Sequence, residues 1–370
     1  MKELKLLIVE DDQEQLDLYD RDVKSFNLGK EIQIIITAIK EKELALKALI
    51  HLDFDAAIVD LDLKNTGGQD SSGNEILKEI KNNLRFPVYV VTGTPQNVDD
   101  GLKVESAFFK IKTRGDVEEV SYWEQFINIY NTGITQILNR KGTIEKYLSN
   151  IFWNHIADSI DLWITDQTRT SEQKEKTLLR YTLLHIQEYL EQNSDNTFDN
   201  YHPAETYIIP SVKQFVFTGD LVEEKKSGYC YIVLTPSCDL AQKKAKDILL
   251  AIIEVNIKGI MAEMKNIIIK NKAPAERIQE AENVIKNLIH NSFSNKYHFL
   301  PKYKSIKGGL VNFQKVKSVR IEELNSEFTI IASLNSQFTK DIVARFSYYY
   351  SRQGSPDFDS NEMYLSLIKD

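Results

Sequence analysis

Cysteine is nearly absent from this chain: only Cys230 and Cys238 occur among 370 residues. Two thiols could pair, but they do not make a disulfide framework, and a reducing cytosol is the simpler setting. Long apolar runs are missing too. No stretch approaches the roughly 18 apolar residues of a membrane span. The opening MKELKLLIVEDD reaches acids after a short apolar run, unlike a secretory leader. A cytoplasmic protein without membrane segments is therefore expected. A basic excess is also missing: 46 Lys and Arg stand against 54 Asp and Glu, a formal charge of −8. Residues 1–130 hold 16 basic and 25 acidic residues, and the remainder holds 30 and 29. The neutral C-terminal part lacks the positive field expected of a nucleic-acid module. No helix-turn-helix, zinc module, glycine-rich phosphate loop, cyclase motif or nucleophile elbow is visible, so no separate catalytic motif stands out.

What is present suits a soluble globular chain: 42% hydrophobic and 27% charged residues. Its length exceeds one ordinary core, so two or three domains are expected. Strand and helix patterns alternate in the first third. Leu6–Val9, Ile32–Ala38, Ala56–Val59, Val88–Val91 and Ala107–Ile111 read as strands. Helices are predicted over 13–26, 41–52, 74–84, 97–104 and 116–131. Continuous apolar strands separated by amphipathic helices mean a parallel sheet covered on both faces. Five such strands suit the flavodoxin-like doubly wound order, whose ligands sit at the C-terminal strand ends.

Acids fall at those ends. Glu10, Asp11 and Asp12 follow the first strand, Asp60 ends the third with Asp62 close behind, Thr92 ends the fourth, and Lys112 lies just past the fifth. Clustered carboxylates are costly unless a cation neutralises them. Oxygen-only ligands with access to water suit Mg²⁺ better than zinc or copper. Taken singly, Asp11, Asp12 or Asp116 could equally be helix N-caps.

LLIVEDD (6–12), AAIVDLDL (56–63), VYVVTGT (88–94) and FFKIK (108–112) resemble, in order, the motifs of response-regulator receiver domains, over about a third of the chain. The resemblance implies that Glu10 and Asp11 bind Mg²⁺, helped by the Asp60 side chain and the Asp62 carbonyl. It implies that Asp60 takes the phosphoryl group from a histidine kinase or phosphotransfer protein. Thr92 would hydrogen-bond that group, and a lysine would pair with it. Lys112 fits better than Lys110, because Phe109 then takes the aromatic position three residues earlier. Three departures stand out. No proline follows the lysine. The loop after Asp60, KNTGGQDSSG, is long and polar. Gly93 after Thr92 leaves the phosphoryl site open.

The C-terminal two-thirds is less specific. A helical segment is predicted over 131–165, with a turn at NRKGT (139–143). A second helix covers 171–192, where Leu178, Leu179, Leu183, Ile186 and Leu190 form an apolar stripe. Core packing is the plain expectation for these helices; the alternative is a second subunit. The polar run 192–200 marks a boundary, which divides the chain into 1–130, 131–200 and 201–370. The last part reads as α+β, with a small antiparallel sheet or barrel, a helical hairpin inserted at about 258–292 around Ala273-Pro-Ala, strand signals at 309–321 and a helix over 335–351.

Cys238 and Asp239 follow a strand in LTPSCDLAQKK, where a nucleophile can sit. A base would have to come from a distant residue such as His202 or His298. The plainer reading is a buried turn cysteine, with Asp239 capping the next turn. Thr218-Gly-Asp-Leu-Val followed by Tyr231-Ile-Val-Leu-Thr-Pro is similar to the opening strands of MazF/PemK-like barrels, some of which are ribonucleases. The arginine usual before the second strand's proline is absent. Arg345, Tyr348, Tyr349, Tyr350 and Arg352 form an aromatic–basic cluster that could stack bases or anchor a partner, although Phe346, Tyr349 and Tyr350 share a face suited to a core. The expected function is two-component signalling: phosphorylation of Asp60 controls a non-DNA-binding output through a partner or homodimer. The alternatives are a receiver-gated enzyme centred on Cys238, or an unphosphorylated docking module.

Overall fold

Lys2–Val9 (β1), Ile32–Ile39 (β2), Ala56–Val59 (β3), Val88–Thr92 (β4) and Phe109–Thr113 (β5) form one parallel sheet in the order β2-β1-β3-β4-β5. The computed structural model describes residues 2–64, 70, 72–115, 120–191, 195, 197, 199–255, 260–270, 274–352 and 357–369. The central strands are apolar on both sides because each face is covered. Val9, Ala57, Val59, Val88 and Val90 pack with Leu49, Ile76 and Ile80. These belong to helices Lys42–His51 (α2) and Ser72–Asn83 (α3). Leu6, Ile8, Ile58 and Tyr89 pack on the opposite side with Leu16, Tyr19, Val23, Trp123 and Phe126. Those come from Gln13–Asn27 (α1) and Tyr122–Tyr130 (α4). This is the five-stranded doubly wound architecture expected.

The helix expected over 97–104 is instead two short 3₁₀ turns, Pro95–Asn97 and Asp100–Leu102. Asp99 and Gly101 interrupt the stretch, and Asp99 N–H is held by the Asn74 side chain rather than by a helix. The last strand starts two residues later than the apolar pattern suggested. Ser106 and Phe109 first exchange backbone bonds in a tight turn.

The chain divides into two compact units, Met1–Phe198 and Asp199–Asp370. Within the first, short helices Ile134–Leu138 (α5), Thr143–Ile151 (α6) and Ile160–Thr165 (α7) follow the sheet, with a wide π turn at Phe152–Ile156. The long helix Ser171–Glu191 (α8) lies along them through rings: Tyr147 meets Tyr189, His155 meets His185, and Trp163 meets Tyr181. Core packing was the expectation for α8, but none of its residues is buried. Leu179, Leu183, Leu184 and Leu190 are each more than half exposed.

The second unit holds one antiparallel sheet of seven strands. They are Tyr207–Ile208 (β6), Asp220–Glu224 (β7), Cys230–Val233 (β8), Asp247–Glu254 (β9), Tyr297–Leu300 (β10), Gly309–Arg320 (β11) and Phe328–Leu334 (β12). Their order is β10-β11-β9-β8-β7-β12-β6. Its helices are Pro203–Thr206 (α9), Ser237–Ala241 (α10), Ile260–Lys270 (α11), Ala275–Ile289 (α12), Ile321–Glu327 (α13), Ser336–Ser351 (α14) and Ser360–Leu367 (α15). One face of the sheet packs Phe313, Leu221 and Ile232 with Ile342 of α14, and the other packs Val222, Val233 and Leu250 with Leu324 of α13. The pair α11 and α12 lies between β9 and β10 in the chain.

Thr218-Gly-Asp serves this fold. Gly219 has φ +87°, and a Cβ there would meet the Thr339 side chain at 2.4 Å. Asp220 is fully buried and accepts from the Phe217 N–H and the Ser333 hydroxyl, both at 2.6 Å. Of the three departures from the motifs, the glycine after Thr92 is placed. Gly93 leaves open space where a side chain would stand. Most of the polar loop after Asp60, like Asp116, lies outside the described residues.

Candidate receiver site

Strand β1 delivers Glu10 and Asp11, and β3 delivers Asp60, because both strands end at the same edge of the sheet; Val9 pairs with Val59. One ligand atom each from Glu10, Asp11 and Asp60 lies within 4.8 Å of the others. Glu10 and Asp60 are buried, and Asp11 is half-buried. Asp12 points elsewhere: its side chain accepts the Glu14 N–H at 2.9 Å and caps α1. Asp62 is half-buried just beyond Asp60. Thr92, buried at the end of β4, accepts the Thr94 N–H at 3.3 Å.

A glycine brings α3 against this edge. A Cβ on Gly73 would meet the Asp60 carbonyl oxygen at 2.3 Å and Leu61 Cα at 2.7 Å. The Gly73 N–H donates to the Leu61 carbonyl at 3.1 Å. Only a residue without a side chain permits this approach.

The cation that meets the acids is Arg114, which lies outside all four sequence motifs. Its Nη2 donates to both Glu10 carboxylate oxygens at 2.7 Å and to Asp60 Oδ2 at 2.9 Å. Its backbone N–H donates to the Thr92 carbonyl, which fixes the residue beside the end of β4. Lys110 turns away; its ammonium bonds Gln125 and sits 5.3 Å from the Tyr89 ring centre. Lys112 is half-buried on β5, opposite Val91. A signal for Arg114 existed: it is the next basic residue after Lys112, and the strand's later start carries residue 114 to the level of the acids.

Burial and the neighbouring Asp60 charge push the Glu10 carboxyl up to about 7, against the pull of Arg114. Burial likewise raises Asp60, while the Thr92 hydroxyl and Arg114 pull it down. Asp60 Oδ1 is buried without a hydrogen-bond partner among the described residues. An all-oxygen donor set with an unsatisfied buried acceptor fits a hard divalent cation such as Mg²⁺.

The other candidates do not assemble a second catalytic group. Cys230 and Cys238 are free thiols, and Cys238 is exposed rather than buried. Its sulfur approaches the adjacent Asp239 carboxylate at 3.7 Å. Asp239 lies inside α10, which has no side-chain cap. His202 caps α9, and His298 is buried on β10, 3.8 Å from Asp341. Strands β7 and β8 of the MazF/PemK-like segment do pair, Leu221 opposite Ile232. In the aromatic–basic cluster, Phe346 and Tyr349 pack on Phe313, while Tyr348 and Tyr350 are exposed. Arg345 is bound to Asp341, and Arg352 lies 5.2 Å from the Tyr349 ring centre.

No family model matches the chain, and no curated protein matches it. Solved structures do. A CheY-like receiver domain of a response regulator from Methylobacillus flagellatus is 15% identical, covering 35% of this chain and 97% of that one with a TM-score of 0.25. A response-regulator receiver domain from Erythrobacter litoralis is 17% identical, covering 39% and 97% with a TM-score of 0.26. The receiver domain of a sensor histidine kinase from Pseudomonas aeruginosa is 16% identical, covering 31% and 87% with a TM-score of 0.24; that structure has magnesium coordinated in its active-site cleft. The strand order β2-β1-β3-β4-β5 by itself gives the N-terminal third of this chain a five-stranded doubly wound parallel fold.

Proposed function

We propose that the chain is a response regulator whose Asp60 accepts a phosphoryl group from a histidine kinase or phosphotransfer protein. The observation that carries this reading is the meeting of Glu10, Asp11 and Asp60 at one sheet edge, with a cationic group already between Glu10 and Asp60. In the proposed step an Asp60 oxygen attacks the phosphorus. The phosphorus–nitrogen bond of the donor phosphohistidine breaks, its electron pair returns to the imidazole, and an acyl phosphate forms. Glu10, Asp11, Asp60 and the Asp62 carbonyl would hold Mg²⁺, which supplies charge neutralisation to the phosphoryl oxygens. Thr92 would donate its hydroxyl to the new group, with Lys112 or Arg114 pairing with its charge.

The output is proposed to act through protein contacts. The exposed leucines of α8 favour self-association of the first unit, since an isolated helix draws little stability without packing its apolar side. Phosphorylation can control such an output only by favouring one of two states. A Cys238-centred enzyme is the weaker reading, because the thiol's hydrogen-bond partner among the described residues is a carboxylate, not a base able to relay a proton.

The test is incubation with acetyl phosphate and Mg²⁺, followed by intact mass. Wild type should gain one phosphoryl group, lost with EDTA and in Asp60→Asn. An unmodified wild type overturns the reading in favour of an unphosphorylated docking module.

A further inference from the structure

We propose that Arg114 is a two-position counter-ion. It neutralises Glu10 and Asp60 while the receiver is metal-free, and a divalent cation entering that cluster turns its guanidinium into the adjoining cavity lined by Tyr19, Asp22 and Trp123. The inference rests on the receiver reading above and adds a residue outside the motifs that suggested it.

Three observations carry it. First, Arg114 Nη2 engages three carboxylate oxygens at 2.7, 2.7 and 2.9 Å, and these belong to two of the three acids that form the cation site. A divalent ion and a guanidinium nitrogen on the same oxygens repel each other, so entry of one weakens the other. Second, the present position leaves three buried polar atoms, Asp60 Oδ1, Arg114 Nε and the Tyr19 hydroxyl, without a hydrogen-bond partner within 3.5 Å among the described residues. Such atoms are rare in a settled structure. Third, a cavity of about 290 Å³ adjoins Arg114, and Tyr19, Asp22, Tyr122 and Trp123 line it. A guanidinium turned there gains the Tyr19 oxygen and the Asp22 carboxylate as acceptors, and aromatic faces to stack on. A cation left in the cluster takes the free Asp60 oxygen. One rearrangement thus gives all three orphaned atoms a partner. Tyr19 of α1 and Trp123 of α4 meet edge to face at 6.0 Å, so the arriving guanidinium touches two helices away from the acids.

The experiment is a calorimetric titration of the full chain with MgCl₂ alone. It uses wild type, Arg114→Gln, Arg114→Ala and Tyr19→Phe. Trp123 emission is followed in a Trp153→Phe, Trp163→Phe background. Removing the competing charge should tighten Mg²⁺ binding on the order of tenfold in both Arg114 variants, as expected for one close like charge. Tyr19→Phe should weaken binding, because the displaced arginine loses an acceptor. Mg²⁺ should shift Trp123 emission in wild type and not in Arg114→Gln. Equal or weaker Mg²⁺ binding in both Arg114 variants overturns the proposal while leaving the receiver reading intact. An unchanged emission response in Arg114→Gln, or unchanged affinity in Tyr19→Phe, also overturns it, by removing the second position. If no form binds Mg²⁺, the proposal and the receiver reading fall together.

Discussion

Asp60 shows what single residues contribute and how far a sequence discloses it. Glu10, Asp11, Asp60 and Thr92 were legible because each stands at the end of an apolar strand, where a parallel sheet must expose its polar groups. Arg114 was hardly legible, because its one local mark is that it is the next basic residue after Lys112. Its role comes from a tertiary contact with Glu10, 104 positions away. His298 was singled out as a possible base, and the fold gives it another part. Burial lowers its pKa to about 4, with the Asp341 carboxylate acting against burial and Arg345 reinforcing it. A histidine whose folded pKa lies below its unfolded 6.5 contributes stability that is present above pH 6.5 and lost as pH falls towards 4. We predict that the second unit loses about 2 kcal/mol between pH 7 and pH 4.5 through this group. Thermal unfolding of His298→Asn beside wild type checks this: the variant's Tm should fall less on acidification. An equal fall in both would assign the acid sensitivity to other groups.

Elements follow from periodicity where packing repeats it, and depart where packing does not. Strand Ala56–Val59 sits where its four apolar residues predict, because it is buried on both faces. The stretch after Thr92 lost its helix because polar side chains and Gly101 serve turns better than a continuous ladder. Strand Phe328–Leu334 was missed altogether, since its partner β7 lies about 100 residues earlier and no turn signal links them. Gly73 makes a test at this scale. Gly73→Ala should destabilise the first unit by about 1–3 kcal/mol, because the new methyl meets backbone rather than a yielding side chain. Urea unfolding followed at Trp123 measures it, and an unchanged midpoint would mean that α3 moves freely. The leucines of α8 make a second test. Leu179, Leu183 and Leu190, with half-buried Ile186, follow the 4-3-4 spacing of a coiled-coil seam. Leu183→Glu should convert a dimer to a monomer in sedimentation while leaving helix content unchanged. A wild-type monomer at all concentrations would remove self-association from the account.

At the scale of the molecule, composition separates an acidic N-terminal part from a neutral remainder. The acidity of residues 1–130 belongs to the receiver sheet and its helices, where the carboxylate cluster sits. The neutral remainder includes a unit built on a seven-stranded antiparallel sheet. Its polar Thr-Gly-Asp motif turned out to be a buried fastening: Asp220 ties the Phe217 backbone to Ser333. The segment similar to MazF/PemK-like barrels is thus explained in part by the needs of the sheet. The central claim concerns Asp60, and one measurement meets it directly. The chain is treated with acetyl phosphate and Mg²⁺, reduced with borohydride, and mapped by peptide mass spectrometry. Reduction converts an aspartyl phosphate to homoserine. The account predicts homoserine at position 60 and nowhere else. Homoserine at another acid, or none anywhere, would contradict it.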